Sequence, residues 1–287
     1  MKILVTGGTG LVGSHVVREL LARDQEVYVL TRDAKKVAGL PNRVRGIVGD
    51  LGEVETVRTA FKGMDAVFLI NVVTPKETHE GIMGVNGAMI GKAKRLVYLS
   101  VQSADEAATL PHFGGKTSVE LAGQRSGIPY TILRPNNYHQ NDRFYQAALV
   151  EHGIYPQPIG RKGISRVDVR DIAELAAIAL TLGGHEGKVY DLVGPRPLTG
   201  QDCAEIWSRA LGRKVEYGGD DLDAWEKQSL QYMPDWLVFD FGNMYAWFQA
   251  NGWPGTAQAI STLTSILGHP PRDLESYARE MAAAWKA

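Results

Sequence analysis

A glycine-rich segment near the start of the chain constrains the fold more than any other feature of the sequence. Residues 5–13 read Val-Thr-Gly-Gly-Thr-Gly-Leu-Val-Gly, between a strand-like run and a helical pattern. Gly7 permits a tight turn, Gly10 lets the backbone approach a pyrophosphate, and Gly13 lets the helix pack closely on the strand, so the segment predicts a dinucleotide-binding βα unit. Its expected contact residues are Thr6, Gly7, Thr9, Gly10, Leu11, Val12 and Gly13.

Strand-like and helical segments alternate through the first two thirds of the chain. Nearly continuous apolar strands separated by helices predict a parallel sheet that is covered on both faces. All six tryptophans lie after residue 200, in a region with a mostly helical pattern. We therefore predict a Rossmann-type doubly wound parallel sheet with a smaller, mostly α-helical C-terminal lobe. The strand-like runs are Ile3–Val5, Val27–Leu30, Val67–Ile70, Leu96–Leu99 and Tyr130–Leu133.

The predicted domains are discontinuous. Residues 1–135 and 165–194 are assigned to the dinucleotide-binding domain, and residues 136–164 and 195–287 to the substrate-binding lobe. In the lobe, Thr199 is the expected N-cap before a helix predicted over Ala204–Leu211.

Composition and charge exclude several classes of function. The net charge of the 287-residue chain is -1, which gives no electrostatic basis for binding nucleic acid or an acidic membrane surface. Cys203 is the only cysteine, so an internal disulfide and a cysteine-based metal cluster are excluded, and we predict no metal site. The apolar run Leu175–Leu182 is too short to span a bilayer. We expect a cytoplasmic protein, monomeric or homodimeric, that acts on a small molecule.

The spacing of the glycines is G-x-x-G-x-x-G after a threonine, which resembles the short-chain dehydrogenase/reductase superfamily. An NAD-specific site usually has a carboxylate at the end of the second strand, but here Thr31 and Arg32 occupy that place. A guanidinium suits a 2′-phosphate, so we predict NADP(H) in preference to NAD(H). Asp33 leaves an alternative open, because it would serve the ribose if the register shifted by a residue or two.

Further cofactor contacts are expected where other strands end, because ligands of open α/β sheets lie outside the carboxyl ends of the strands. The superfamily resemblance implies that Asp50 approaches the adenine amino group and that Leu51 packs on the ring. The remaining expected contacts are Asn71, Val72, Ser100, Val101, Pro135 and Asn136.

The catalytic pattern departs from that of typical short-chain reductases, in which a tyrosine stands four residues before a lysine. No tyrosine in this chain has that spacing, and His112 stands four residues before Lys116. An imidazole titrates near neutral pH, so His112 is a candidate acid or base, although a packing or capping role is an equal alternative. Their side chains share a face only if a helix already runs through Gly114 and Gly115.

These features together resemble the NmrA-like atypical short-chain dehydrogenase/reductases. The resemblance implies that Lys116 binds the hydroxyls of the nicotinamide ribose. It also implies a range of activities, from quinone and dye reduction to redox sensing without turnover. The segments that carry it are Thr6–Gly13, Pro111–Lys116, Gly127–Asn136, Val167–Ala173 and Tyr190–Pro195.

Two functional hypotheses follow. The first is an NADPH-dependent reductase that transfers hydride to an electron-poor, aromatic or conjugated molecule such as a quinone, enone or imine. Its catalytic residues are Lys116 and His112, with Lys116, His112 or water as the proton donor, and its expected substrate contacts are Gln102, Asn137 and Tyr138. The alternative is a non-catalytic NADP(H) sensor that acts through a protein partner, which the missing tyrosine motivates. A sugar epimerase is a weaker third possibility, because that chemistry normally depends on the tyrosine.

Overall fold

Alternating strands and helices build the first two thirds of the chain, as the sequence predicts. In this computed structural model, which describes residues 1–286, a seven-stranded parallel sheet has the order β3-β2-β1-β4-β5-β6-β8. The strands are β1 Lys2–Thr6, β2 Glu26–Thr31, β3 Val44–Val48, β4 Ala66–Leu69, β5 Arg95–Leu99, β6 Tyr130–Pro135 and β8 Lys188–Leu192. Two short strands, β7 Ile154–Tyr155 and β9 Glu216–Tyr217, form a separate parallel pair.

The direction of winding reverses between β1 and β4. From β1 the chain builds outward through β2 to β3, then returns to the other side of β1 and builds outward again through β4, β5 and β6. Neighbouring strands pair in register through apolar residues, with Val5 opposite both Val29 and Phe68. In sheets of this kind, ligands bind at the carboxyl ends of the strands near such a reversal.

Helices cover both faces of the sheet, as predicted. Ile3, Leu4 and Val5 of the central strand β1 are fully buried, which agrees with this cover. The α-helices are α1 Leu11–Ala22, α2 Ala34–Ala38, α3 Val54–Thr59, α4 Glu77–Ile90, α5 Pro111–Arg125, α6 Val169–Thr181, α7 Gly200–Leu211, α8 Leu222–Ser229, α9 Asp235–Asn251, α10 Ala257–Leu267 and α11 Leu274–Lys286. A 3-10 helix, His139–Tyr145, and a π-helix, Ala148–His152, lie between β6 and β7. Across residues 1–286, none of the helices combines the length and the apolar character that crossing a bilayer requires.

Contacts divide the chain into two compact units. The first unit comprises residues 1–134 and 172–190, and the second comprises residues 135–171 and 191–287. The sequence assigned residues 165–171 and 191–194 to the dinucleotide-binding domain, whereas the contacts place both segments in the second unit. The reason is local pairing: the Ser165 amide donates to the Trp253 carbonyl at 2.9 Å, and the Gly194 amide donates to the Ser165 carbonyl at 3.0 Å. The functions of the two units remain a prediction.

The second unit has a polar network within its core. Arg166 and Asp142 are almost fully buried, and two hydrogen bonds of 2.7 and 3.0 Å join the guanidinium to the carboxylate. Trp207 Nε1 donates to the same carboxylate at 2.8 Å. Cys203 is buried beside this network, with its sulfur 3.9 Å from Arg166.

The α7 helix begins as predicted. The Thr199 hydroxyl accepts from the Asp202 amide, and the Asp202 carboxylate accepts from the Thr199 amide in return. This capping box satisfies two N–H groups at the helix start. Thr199 is therefore the N-cap, although the helix starts at Gly200, earlier than the apolar pattern indicates.

Candidate active site

The glycine-rich segment forms a tight turn between β1 and α1. Gly7 has a φ of +64°, in the left-handed region that glycine adopts most readily. A Cβ atom on Gly13 would lie only 2.3 Å from the carbonyl oxygen of Gly7, so only glycine permits this close approach of helix to turn. Thr6 links the end of β1 to the segment after β4, since its hydroxyl donates to the Ile70 carbonyl and accepts from the Ile70 amide, both at 2.7 Å.

The start of α1 fits an anionic ligand such as a pyrophosphate. The helix begins at Leu11, and its N-cap, Gly10, has no side chain with which to bind the amides of the first turn. These amides, at Leu11, Val12 and Gly13, precede the point at which acceptors within the helix become available. The helix dipole favours negative charge at the same place. The cradle made by the predicted residues therefore fits the phosphates of a dinucleotide.

The strand ends beside this turn carry the residues predicted to select the cofactor. The Arg32 side chain is 58% exposed, and its guanidinium lies 4.0 Å from Asp50 Oδ2. Asp33 is the N-cap of α2, where its carboxylate accepts from the Lys35 amide at 2.9 Å. One oxygen of the Asp33 carboxylate thus caps α2, and Arg32 and Asp33 are both exposed at the end of β2. Leu51, which follows Asp50, is 8% exposed.

A further acidic residue near this pair was missed in the sequence. Glu80, in the first turn of α4, is 8% exposed. Burial, followed by the nearby Asp50 carboxylate, raises the pKa of Glu80, although Arg32 opposes the shift. No sequence pattern marks Glu80, because an acid in the first turn of a helix is common for reasons of the dipole alone.

His112 and Lys116 lie on one face of α5, which begins at Pro111 and runs through both glycines. Both residues are buried, with exposed fractions of 9% and 8%. The His112 ring packs edge-on against Phe113, with ring centroids 4.7 Å apart. The Lys116 ammonium lies 5.9 Å from the centre of the Tyr98 ring.

Lys116 is paired with an acid that sequence reasoning missed. Its Nζ atom lies 2.8 Å from Oε1 of Glu77, the first residue of α4. The side chains of Glu77 and Lys116 are 4% and 10% exposed, so this is a buried ion pair. The amide of Asn71, a predicted cofactor contact, donates to the Glu77 carbonyl at 3.0 Å and fixes the start of α4.

Two buried polar atoms beside this pair have no hydrogen-bond partner among the described residues. They are Oδ1 of Asn71 and the hydroxyl of Tyr98. The Asn71 side chain lies close enough to the Tyr98 hydroxyl to lower the pKa of Tyr98, but without the geometry of a full hydrogen bond. Burial, then the charges of Glu77 and Glu120, raise the pKa of Tyr98 well above its usual range. We call Asn71, Glu77, Tyr98 and Lys116 the Lys116 cluster.

Ser100, at the end of β5, belongs to a second ion-pair network in the first unit. Its hydroxyl donates to the carboxylate of Glu120, which also accepts two hydrogen bonds from Arg134 at 2.7 and 2.9 Å. The Ser100 hydroxyl is therefore engaged with the protein. Val101 and Gln102 follow it and are 9% and 5% exposed, whereas Val72 at the end of β4 is 53% exposed.

The remaining predicted residues belong to the second unit. Asn136 is buried, and its side-chain amide donates to the Trp253 carbonyl at 2.9 Å. The buried Arg166 donates to the Asn137 side chain at 3.2 Å and to the Tyr138 carbonyl at 2.7 Å. These contacts fix the segment after Pro135.

Within the first unit, the structure brings most of the predicted residues to the carboxyl ends of the parallel strands. Each of these groups follows the end of a strand. The turn follows β1, Arg32 follows β2, Asp50 follows β3, Asn71 follows β4, and Ser100 and the start of α5 follow β5. The predicted contacts from Pro135 to Tyr138 are held within the second unit. The assignment of each residue to cofactor or substrate remains a prediction.

Comparisons with known proteins agree with this arrangement. A family model described as the NmrA-like family matches residues 1–278. An NAD(P)H azoreductase from Xenophilus azovorans is 32% identical over 290 residues, which cover 99% of each chain. Quinone oxidoreductase 2 from Escherichia coli (strain K12) is 27% identical over 280 residues, which cover 95% of this chain and 96% of that protein.

A solved structure confirms the fold class. It is an NADPH-dependent quinone oxidoreductase from Escherichia coli in complex with NADPH, with a TM-score of 0.87 and 24% sequence identity. The match covers 97% of this chain and 99% of that one. The predicted Rossmann-type sheet with a helical C-terminal region is therefore correct.

Proposed function

The chain belongs to the NmrA-like family, and we propose that it is an NADPH-dependent reductase of electron-poor, aromatic or conjugated small molecules. It is an NAD(P)H-dependent oxidoreductase, in agreement with the names of the NAD(P)H azoreductase and of quinone oxidoreductase 2. The proposal for its own substrates depends above all on one observation: an uncapped glycine turn that suits a dinucleotide lies in the same unit as a buried lysine at the start of α5.

Each part of the first unit has a separate task in this proposal. A nicotinamide cofactor supplies hydride when it is bound. The turn at Gly7–Gly13 holds the pyrophosphate, and Arg32 holds the 2′-phosphate. Lys116 binds the ribose hydroxyls and places a positive charge near the substrate, where it stabilises developing negative charge. His112, Lys116 or water supplies the proton that completes the reduction.

The names of the relatives support a conjugated substrate. They are described as an azoreductase and a quinone oxidoreductase, and quinones are within the class we propose. The non-catalytic sensor gains no support from these relatives, which are named as enzymes. We also propose that the protein works in the cytoplasm as a monomer or homodimer.

The test is NADPH consumption by the purified protein with a panel of quinones, enones, imines and azo dyes. Lys116→Ala should lower kcat/KM by about a hundredfold with any accepted substrate, because both a cofactor contact and a positive charge are lost. Lys94→Ala is a matched control, since Lys94 is a lysine of the same unit with a side chain that is 78% exposed. Binding of NADPH without consumption in the presence of any acceptor would favour the sensor instead.

The preference for NADP(H) is tested separately. Arg32→Asp should weaken NADPH binding by at least about tenfold and improve NADH binding, because a carboxylate repels the 2′-phosphate and suits the ribose hydroxyls. Arg43→Asp is the control, because Arg43 is another exposed arginine of the first unit. If Arg32→Asp binds NADPH as tightly as the wild type, the 2′-phosphate is held elsewhere.

A further inference from the structure

The buried pair in the Lys116 cluster concerns the residue that the proposed function uses most. Glu77 Oε1 lies 2.8 Å from the Lys116 ammonium in an ionic contact, and it accepts no hydrogen bond from the described residues. An ammonium has three N–H donors, so a contact with one carboxylate oxygen leaves donors for a ligand. Glu77 thus engages one side of the ammonium, and the remaining N–H groups of Lys116 are available to a ligand.

Local structure explains why a carboxylate occupies this position. Glu77 is the first residue of α4, where the helix dipole stabilises negative charge. A Cβ atom on Gly81, one turn further along, would lie 2.5 Å from a methyl group of Val119 in α5. A glycine at position 81 therefore lets α4 and α5 approach closely, which brings Glu77 to Lys116. The hydrogen bond from Asn71 to the Glu77 carbonyl fixes the start of α4.

We propose that Glu77 is a positioning residue of the cofactor site, whose carboxylate holds the Lys116 ammonium where its remaining N–H groups bind the ribose hydroxyls of the nicotinamide half. This inference rests on the proposed function, because it takes Lys116 as a cofactor ligand. The surroundings support a role beyond stability. Asn71 Oδ1 and the Tyr98 hydroxyl lie in the same cluster without hydrogen bonds, so the cluster is not satisfied within the protein.

The experiment compares NADPH affinity, followed by the fluorescence of the bound nucleotide, in four proteins. They are the wild type, Glu77→Gln, Lys116→Met and the double variant. Glutamine keeps the size of the side chain and removes its charge, so Glu77→Gln should weaken NADPH binding by about tenfold. In the double variant the loss should be no larger than in Lys116→Met alone, because Glu77 acts through Lys116.

Kinetics add a readout that a purely structural role would not change. Glu77→Gln should raise KM for NADPH and leave KM for the acceptor unaltered. Asp65→Asn is the matched control: it also converts a carboxylate to an amide 3.0 Å from a lysine ammonium of the first unit, but at an exposed pair. Its NADPH affinity should equal that of the wild type.

Each other outcome overturns a defined statement. Wild-type affinity in Glu77→Gln, or losses that add in the double variant, would refute the role of Glu77 and leave the proposed function intact. A wild-type protein that binds no NADPH would refute the proposed function and this inference with it. If Glu77→Gln does not fold, Glu77→Asp keeps the charge but withdraws it by one methylene. It should still weaken NADPH binding several-fold, and unchanged binding would refute the role.

Discussion

Each unit of the molecule contains a buried ion pair, and the two pairs are built differently. In the second unit, Arg166 donates to Asp142, Tyr155, Asn137 and the Tyr138 carbonyl, so its guanidinium is surrounded by acceptors. In the first unit, the Lys116 cluster contains one ion contact and three polar atoms without hydrogen bonds among the described residues, Asn71 Oδ1, Glu77 Oε1 and the Tyr98 hydroxyl. Buried polar groups are normally satisfied, so exceptions call for an explanation.

The difference separates polar groups that hold a fold together from polar groups that are available to a ligand. The same contrast appears at helix starts, since α7 begins with a capping box and α1 begins with an uncapped glycine. The Arg166 guanidinium and the start of α7 find their partners within the protein. The Lys116 cluster and the first turn of α1 leave polar groups available where the sequence predicts a cofactor.

The largest expected effect on stability comes from breaking the ion pair between Arg166 and Asp142. Asp142→Asn leaves the buried Arg166 without its carboxylate and should lower the free energy of unfolding by about 3–5 kcal/mol. Urea denaturation followed by tryptophan fluorescence reports this directly, because all six tryptophans lie in the second unit. Glu77→Gln, measured by circular dichroism, should cost only about 1–2 kcal/mol, because Glu77 makes one contact with Lys116 whereas Asp142 makes several with its partners. If Asp142→Asn and Glu77→Gln lower the free energy of unfolding equally, the proposed difference between the two ion pairs is wrong.

The second prediction concerns pH. Burial alone would raise the pKa of Asp168, but His139 and Arg170 hold it well below its usual range. A carboxyl with a lowered pKa stabilises the fold above about pH 4 and loses that contribution as the pH falls further. Asp168→Asn should therefore cost about 2–3 kcal/mol at pH 7 and progressively less below pH 4, measured by thermal unfolding.

Glu80 in the first unit should show the opposite sign, because its pKa is raised. Its ionisation on the folded protein is unfavourable, so stability falls as the pH rises above about 4. Glu80→Gln should gain stability relative to the wild type at pH 7 and show no gain below pH 4. Parallel pH profiles for Asp168→Asn and Glu80→Gln would contradict this assignment.

A matched pair of tyrosines gives the third prediction. The Tyr155 hydroxyl accepts from Arg166 at 3.0 Å, whereas the Tyr98 hydroxyl has no hydrogen bond from the described residues. Tyr155→Phe should cost about 1–2 kcal/mol, because a charged donor loses its acceptor. Tyr98→Phe should be neutral or slightly stabilising without ligand, because it removes an unsatisfied group. Urea denaturation of both variants makes the comparison, and a costly Tyr98→Phe would show that its hydroxyl is satisfied.

The smallest effect is expected at the helix starts. Thr199→Ala removes a side-chain cap from α7 and should lower stability by about 1 kcal/mol. Gly10→Ala removes no cap from α1, and its Cβ would lie 3.2 Å from the Gly7 carbonyl oxygen, so the cost to stability should be smaller. It should instead weaken NADPH binding, measured by nucleotide fluorescence. A stability loss in Gly10→Ala as large as that in Thr199→Ala would argue against a ligand-binding helix start.

The features that were predictable from the sequence are those fixed by neighbouring residues. The glycine turn, the apolar strands and the Thr199 cap each follow from a short pattern. The helix through Gly114 and Gly115 was left open, because glycines weaken helix propensity, and packing within the fold decides the outcome.

The features that were missed depend on partners distant in the sequence. Glu77 and Glu120 read as ordinary helical acids, and only the fold brings them to Lys116 and to Arg134. Arg166 reads as a surface charge for the same reason, yet it lies in the core of the second unit. Long-range pairs of this kind leave no periodic signal, so the sequence identified Lys116 but not the group that holds it.

The buried thiol of Cys203 has a practical consequence. Burial raises the pKa of Cys203 to about 11, and the thiolate is the form that reacts with alkylating reagents. The chain has no other cysteine, so labelling of the native protein requires the region around Cys203 to open. The labelling rate in native buffer therefore reports how often this part of the second unit unfolds transiently, at one known position and without denaturant.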